Sequence, residues 1–220
     1  MNAFGKGAIA TSCATLFIVL AVLASSPADA DTITLPLSAF SSDETPADVL
    51  DAKFIFSVIS TVMRLDVYNE TTDPDAYKIN QIYFNAKENV TGLQWLAPPF
   101  GPPPGWTLLT DEAAGGFGVF DFYLEGGVGN DTNFIQPGEF ATFRFFISGT
   151  GSFYESDFVT PSTIPPGNIA ALAAAKFVQG PDDDSAFGAV PIPGAVWLLG
   201  SGLIGLAFIR RKRFVKSLNR

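Results

Sequence analysis

Short apolar segments separated by turn-forming residues recur along the chain from Thr32 to about Val178. Phe, Tyr, Val, Ile and Thr favour strands, whereas clusters of Gly, Pro, Asp and Asn mark turns. Strands that recur roughly every 8 to 15 residues are typical of two packed antiparallel sheets. The sequence therefore predicts a mainly β fold, a single antiparallel β-sandwich, and leaves open a jelly-roll or an immunoglobulin-like topology. The strand segments are KFIFSVIS, VMRLDVYN, YKINQIYFNA, VTGLQWLA, GWTLL, FGVFDFYLEG, EFATFRFFIS and SFYESDFVT.

The 21 phenylalanines indicate what fills the space between the two predicted sheets. A buried aromatic ring stabilises a fold by about 1.5–3 kcal/mol, and a domain of about 150 residues can bury a sufficient core without disulfides. Two segments are ambiguous. SSDETPADVLDAK is compatible with a short helix or a loop, and NIAALAAAKFVQG combines alanines of high helix propensity with a strand-like end. We predict a final strand for the second of these segments.

Charge is distributed unevenly along the chain. Between Asp31 and Ala189 there are six basic and 21 acidic residues, a formal charge of −15, while other basic residues cluster near the C-terminus. A surface this acidic repels phosphate backbones, so we predict that nucleic acid is not a partner. We assign the sandwich to 31–180 and predict that the polar, small-residue region 181–189 is a tether.

The first 30 residues have the pattern of an export signal. An apolar core follows Lys6, and the small residues Ala28 and Ala30 match the pattern that signal peptidases accept. We predict a signal peptide over 1–30, cleaved after Ala30 by signal peptidase during export through the Sec machinery. An uncleaved membrane anchor is the alternative. Cleavage would remove the single cysteine, Cys13, and with it any disulfide of the mature chain.

A second apolar stretch, Ile192 to Ile209, has 18 residues without a charge. As a transmembrane helix it would be about 27 Å long, enough to cross a thin bilayer core. By the positive-inside rule, the basic cluster that follows and the tail 214–220 would remain in the cytoplasm. The predicted membrane anchor contains Trp197, Gly200, Gly202 and Gly205, and the basic cluster is Arg210, Arg211, Lys212 and Arg213.

The motif Val190, Pro191, Ile192 and Pro193 begins the run VPIPGAVWLLGSGLIGL. Proline interrupts helices, so the motif is predicted to be extended, as a protease substrate requires. The motif, the glycine-bearing apolar stretch and the basic cluster together resemble the PEP-CTERM sorting signal of Gram-negative bacteria, in its V-P-x-P variant. Ile192 stands where the name-giving form has Glu. The resemblance covers 190–213 and the signal peptide. It implies processing by an exosortase, an integral-membrane cysteine transpeptidase, and an association with exopolysaccharide.

Few residues of the chain suit a catalytic site. The chain has no His, which excludes His-dependent triads and imidazole metal sites, and we predict that it is not an enzyme and uses no cofactor. A carboxylate-based surface glycoside hydrolase is an alternative. Asp121 and Glu125 would share one face of a strand about 13 Å apart, too far for either glycosidase mechanism, although carboxylates of neighbouring strands could meet.

Acidic and amide side chains on the predicted turns are weak candidates for calcium ligands. None of these groups has the spacing of an EF-hand, so we predict solvated turn residues and no metal site. The candidates are Asp131 and Asn133, with Asp73, Asp75, Asn130 and Asp182 to Asp184 as further oxygen donors.

Two tryptophans flank a stiff, proline-rich loop, LQWLAPPFGPPPGW. Trp95 and Trp106, with Tyr68, could form a platform for sugar rings; alternatively, the tryptophans cap the core and the prolines stiffen a connection. The sequence thus predicts an exported structural or adhesive protein of the cell envelope or extracellular matrix. Its domain would lie outside the cytoplasm, anchored in the inner membrane, and reach the cell surface or the medium after processing. A carbohydrate-binding module that uses the Trp95–Trp106 loop is the first alternative.

Overall fold

The computed structural model describes residues 32–40, 50–72, 77–127, 131–163, 169–179 and 185–192. Most of these residues belong to short strands. The strands are β1 (Thr32–Pro36), β2 (Ala39–Phe40), β3 (Ala52–Ile59), β4 (Val62–Asn69), β5 (Lys78–Phe84), β6 (Val90–Trp95), β7 (Trp106–Ala113), β8 (Val119–Gly126), β9 (Phe140–Gly149), β10 (Ala171–Val178) and β11 (Ala186–Pro191), and the short 3-10 helices are Asp131–Asn133 and Glu155–Phe158.

The strands form two sheets in which neighbours pair antiparallel. Sheet A has the order β1-β3-β4-β9-β6, and sheet B has the order β2-β11-β10-β5-β8-β7. Buried side chains from both sheets form one cluster, which we call the main core. The prediction of a mainly β fold with two antiparallel sheets is confirmed.

Alternation of side chains along the strands places the phenylalanines in the main core. Every second residue of β3 is buried, including Phe54 and Phe56, because successive side chains point to opposite faces of a sheet. Phe56 contacts Phe84 of sheet B edge-on, with ring centroids 5.7 Å apart, and stacks on Phe158 at 6.2 Å. Aromatic rings therefore join the two sheets.

The alanine-rich segment forms strand β10, so the predicted strand is confirmed, but it is not the final strand because β11 follows it. β10 lies between β5 and β11 in sheet B, and Ala173, Ala174 and Ala175 are fully buried. One face of β10 is covered by the main core, and the other by a second apolar cluster. Small side chains fit between these layers, so tertiary packing outweighs the helix propensity of alanine.

The second cluster covers the outer face of sheet B. The connection between β7 and β8, residues 114–118, contributes Ala114 and Phe117 to it. The Ser162 hydroxyl fixes this connection, because it donates to the Phe117 carbonyl at 2.6 Å and accepts from the Ala171 N–H at 3.0 Å. The buried members are Tyr83, Ala114, Phe117, Phe120, Tyr123, Ala171, Ala174 and Ala189, with Phe187 packed against them.

The C-terminal part of the predicted tether is a strand instead. Ala186–Pro191 forms β11, which pairs with β10 on one side and β2 on the other. Val190 of the motif is only 6% exposed, and Ile192 packs against the main core. The small and apolar side chains of this segment allow its burial. The acidic residues that precede the segment favoured the prediction of a tether instead. The folded domain therefore extends to Pro191 instead of ending at residue 180.

Several predicted features lie outside the described residues. These are the signal peptide over 1–30, the ambiguous helix or loop over 41–49, the acidic part of the tether over 181–184, Pro193, and the predicted membrane anchor, basic cluster and tail over 194–220. Among the residues that the structure does describe, no helix is long and apolar enough to span a bilayer.

Candidate functional site

Trp106, one of the two predicted glycan contacts, is a core residue. It is 5% exposed, and its ring meets Phe143 edge-on with centroids 5.0 Å apart. Its indole N–H donates to the Asn133 carbonyl at 2.7 Å. Trp106 therefore has no open face for a sugar ring, and the alternative prediction, a tryptophan that caps the core, describes its position.

Trp95, the other predicted contact, also packs inward. Its ring lies 4.5 Å from that of Phe145 and 6.3 Å from that of Phe143, measured between centroids, and it is half-buried. The proline-rich loop between the two tryptophans instead exposes Phe100, which is 52% accessible. The two tryptophans thus do not form the predicted platform, because both rings lie on the inner side of β9.

Aromatic and arginine side chains share the opposite, outer side of sheet A. Strand pairing sets Tyr68 of β4 opposite Phe140 of β9, and Arg64 opposite Arg144. Phe146 lies two residues beyond Arg144 on the same face, since side chains alternate along a strand. We call this surface the aromatic–arginine face; it consists of Arg64, Asp66, Tyr68, Phe140, Thr142, Arg144 and Phe146, with Phe100 of the loop above Arg144.

One end of the aromatic–arginine face is an aromatic stack. Tyr68 and Phe140 lie nearly parallel, with ring centroids 5.1 Å apart. Lys53 of β3 places its ammonium 4.7 Å from the centre of the Tyr68 ring and forms an ion pair with Glu70. Phe140 is 57% exposed, so its ring remains open to solvent on one side.

The centre of the face holds a buried carboxylate. Asp66 accepts hydrogen bonds from the Arg64 Nε at 3.0 Å and from the Thr142 hydroxyl at 2.5 Å, both to Oδ1. Asp66 is nearly inaccessible to solvent, while the Arg64 side chain remains 46% exposed. Asp66 therefore anchors Arg64 and leaves the outer part of its guanidinium in water.

Arg144 has a different environment from Arg64, the residue directly opposite it. Its guanidinium carbon lies 5.6 Å from the centre of the Phe100 ring, a cation–π distance. Within the described residues, Arg144 forms no ion pair with a carboxylate. Like charges directly opposite each other destabilise a sheet. The pair thus places two positive charges directly opposite each other, and the carboxylate of Asp66, in the next outward-facing pair, bonds to Arg64.

The carboxylates of the hydrolase alternative have separate partners. Asp121 accepts a hydrogen bond from the Ala86 N–H at 3.1 Å and lines a cleft of about 300 Å³ between β6 and β7, together with Asp111. Glu125 accepts from the Gln81 side-chain amide at 3.2 Å. Each carboxylate is therefore engaged with its own neighbour.

A tyrosine pair lies beside Glu125 in sheet B. Tyr83 and Tyr123 stack with ring centroids 4.9 Å apart, and Gln81 joins them, since it accepts from the Tyr83 hydroxyl at 2.7 Å and donates to the Tyr123 hydroxyl at 2.9 Å. Burial raises the pKa of both tyrosines well above its usual value of 10.0, and the charge of Glu125 adds to the effect. Both hydroxyls thus act as neutral hydrogen-bonding groups.

Asp157 forms a polar link that the sequence patterns did not reveal. Its carboxylate accepts from the Tyr154 N–H at 2.9 Å, the Lys87 ammonium at 3.0 Å and the Asn89 amide at 3.2 Å. Burial on its own would raise the pKa of Asp157, but the hydrogen bonds from these three residues outweigh it and lower the pKa. Asp157 thus ties the 3-10 helix Glu155–Phe158 to the connection from sheet B to sheet A.

Of the calcium candidates, only Asn133 has its side chain within the described residues. Asn133 packs against Gly105, where an added Cβ would lie 2.2 Å from the Asn133 amide nitrogen. Asp131 begins the first 3-10 helix, and its side chain is outside the described part, as are Asp73, Asp75, Asn130 and Asp182 to Asp184. In the ranges that are described, no group of three or more acidic, His or Cys side chains could hold a metal ion.

The aromatic–arginine face has a signal in the sequence that the predicted sites do not include. The segment FATFRFF has aromatic residues at both even and odd positions, so both faces of β9 are aromatic. A strand with only one buried face would alternate between apolar and polar residues.

In comparisons with family models, curated proteins and solved structures, no match to this chain was found.

Proposed function

We propose that this chain is an exported structural or adhesive protein of the cell envelope or extracellular matrix. A signal peptide over 1–30 directs export, and the C-terminal sorting signal over 190–213 holds the sandwich at the inner membrane until an exosortase processes it. The exported domain then acts at the cell surface or in the surrounding matrix, in association with exopolysaccharide.

The overlap between the end of the fold and the sorting motif supports this proposal, because Val190 and Pro191 of the motif lie in β11. β11 ends at Pro191, and Ile192 packs against the main core. In the sequence, Pro193 and the predicted membrane helix follow immediately. An arrangement with almost no spacer supports a domain that is presented close to the membrane, where an integral-membrane processing enzyme acts.

Processing is tested by expressing the full chain in a Gram-negative host that contains an exosortase. The variant Pro191→Ala with Pro193→Ala is expected to keep its C-terminal segment and to stay in the membrane fraction. Pro103→Ala, in the β6–β7 loop, is the matched control and should be processed like the wild type. Intact-protein mass spectrometry of membrane, surface and medium fractions provides the readout.

Two results would contradict the proposal. An unchanged mass and location for the motif variant would exclude recognition of the motif. Equal masses of the wild-type protein in hosts with and without the exosortase gene would exclude the enzyme. A melting temperature equal to that of the wild type, measured on the purified motif variant, excludes misfolding as the cause of retention.

A further inference from the structure

We propose that the aromatic–arginine face binds an acidic polysaccharide, one whose sugar units carry carboxylates. This inference deepens the proposed function, because it assigns to one surface of the domain the chemistry of its exopolysaccharide partner. The arginine pair and the exposed aromatic rings that flank it support this inference.

The arginine pair is suited to an anion. Arg64 and Arg144 are the only arginines between residues 31 and 209, in a region whose formal charge is strongly negative, yet β4 and β9 place them directly opposite each other. Asp66 compensates one of the two charges. A ligand carboxylate between the guanidinium groups would compensate the other, with the paired N–H donors that arginine offers to carboxylates.

The flanking rings are suited to sugars. Phe140, Phe146 and Phe100 are 57%, 43% and 52% exposed, and Ile59 lies on the same outer side. Pyranose rings present C–H groups on their faces, which pack well on the negative face of an aromatic ring. Phe140 and Phe146 are six residues apart on β9, or about 20 Å at about 3.4 Å per residue. The face therefore suits an extended chain of several sugar units.

Other polyanions fit this surface less well. A nucleic acid or an anionic membrane would bring a dense array of charges against the whole acidic domain. In an acidic polysaccharide the carboxylates stand on sugar rings whose C–H faces pack on aromatic side chains, a surface that the phosphates of a nucleic acid or a membrane do not offer.

The test uses the purified full-length protein in non-ionic detergent at physiological ionic strength. The probe is alginate, a polymer of uronic acids, and dextran of matched length is the neutral control. We expect the wild type to bind alginate in preference to dextran, and Arg144→Gln to lose at least tenfold in alginate affinity. Phe146→Ala should lose a similar factor, because it removes an exposed stacking surface.

Lys176→Gln is the matched control, since it removes one positive charge from sheet B, where Lys176 lies 5.8 Å from the ring of Phe187. Its alginate affinity should equal that of the wild type. The proposal is overturned if the wild type does not bind alginate, if Arg144→Gln binds as well as the wild type, or if Lys176→Gln loses as much. It is also overturned if sedimentation shows a dimer that Phe146→Ala converts to monomers, because the face would then bind a second copy.

The binding and processing experiments can fail separately. Binding to alginate is measured on purified protein and requires no exosortase, whereas processing is read from the mass of the protein in cells. A domain that binds but is not processed leaves the face proposal intact. A protein that is processed but does not bind alginate contradicts the binding proposal and leaves the proposal of export and sorting intact.

Discussion

The outer faces of the two sheets differ in exposure: that of sheet B is buried, whereas that of sheet A is open to solvent. On sheet B, residues 114–118 and the aromatic residues of the second cluster bury the face, and Ser162 fixes the cover with two hydrogen bonds. On sheet A, the face is equally aromatic but remains open, with arginines among the rings. Aromatic residues thus serve stability on one side of the molecule, whereas on the other they remain accessible to a partner.

The largest expected difference concerns the aromatic rings themselves. Phe120→Ala removes a fully buried ring of the second cluster and should lower the free energy of unfolding by about 3–5 kcal/mol. Phe146→Ala, on the open face, should lower it by less than about 1 kcal/mol. Urea denaturation followed by tryptophan fluorescence measures both. Similar losses of unfolding free energy for the two variants would contradict the difference in burial between the two faces.

The cover on sheet B also depends on a glycine. Gly118 has φ +91°, and a Cβ at this position would lie 2.4 Å from the Thr163 carbonyl oxygen. Gly138 has φ +77° with open space around it and is the matched control. Both alanine variants incur backbone strain of about 1–3 kcal/mol. Only Gly118→Ala adds a steric clash, between the new Cβ and the Thr163 carbonyl oxygen. Denaturation midpoints should therefore fall further for Gly118→Ala than for Gly138→Ala; the reverse order would contradict the predicted clash.

Asp157 provides a pH-dependent link between the sheets. Its pKa is lowered in the folded protein, so its contribution to stability is present above the ordinary value of 3.8 and is lost as the pH falls through the lowered pKa. Asp157→Asn should destabilise the protein by about 1–3 kcal/mol at pH 7. The difference from the wild type should shrink at the acidic end of a series of denaturation curves, and a constant difference would contradict the assignment.

The smallest expected effect is spectroscopic. Because burial raises the pKa of Tyr83 and Tyr123, both should stay protonated in the folded protein as the pH rises past 10.0. Their contribution to stability is complete below 10.0 and is lost as the pH increases through the raised values. Absorbance of tyrosinate should therefore grow in a late step, coincident with unfolding. In Tyr83→Phe this late step should be smaller, and an unchanged step would argue against a buried tyrosine pair.

Much of the fold could be predicted from the sequence because strand and turn signals are local. The strand-like end of the alanine-rich segment, for example, predicts a strand, and the segment forms β10. β11 could not be predicted in the same way, because Ala186–Pro191 is short and follows acidic residues. Its burial depends on pairing with β10 and with β2, and β2 lies near the other end of the folded domain in sequence.

The candidate site was less predictable than the fold. Trp95 and Trp106 were conspicuous as residue types, yet which side of β9 they face depends on the packing between sheets. The pairing of Arg64 with Arg144 depends on the register of two strands that are about 80 residues apart in the chain, as the observed β4–β9 pairing shows. A single sequence does not contain that register in any local pattern.

The position of β11 has a mechanical consequence. The strand is hydrogen-bonded to β10 from Ala186 to Pro191, and the chain continues from its end toward the predicted anchor. A pull directed along the strand would load the bonds to β10 together, so they would have to shear at the same time. A strand pulled sideways would instead lose its bonds one after another. Its pairing with β10 and β2 therefore makes β11 more resistant to a force along the strand than to a force across it.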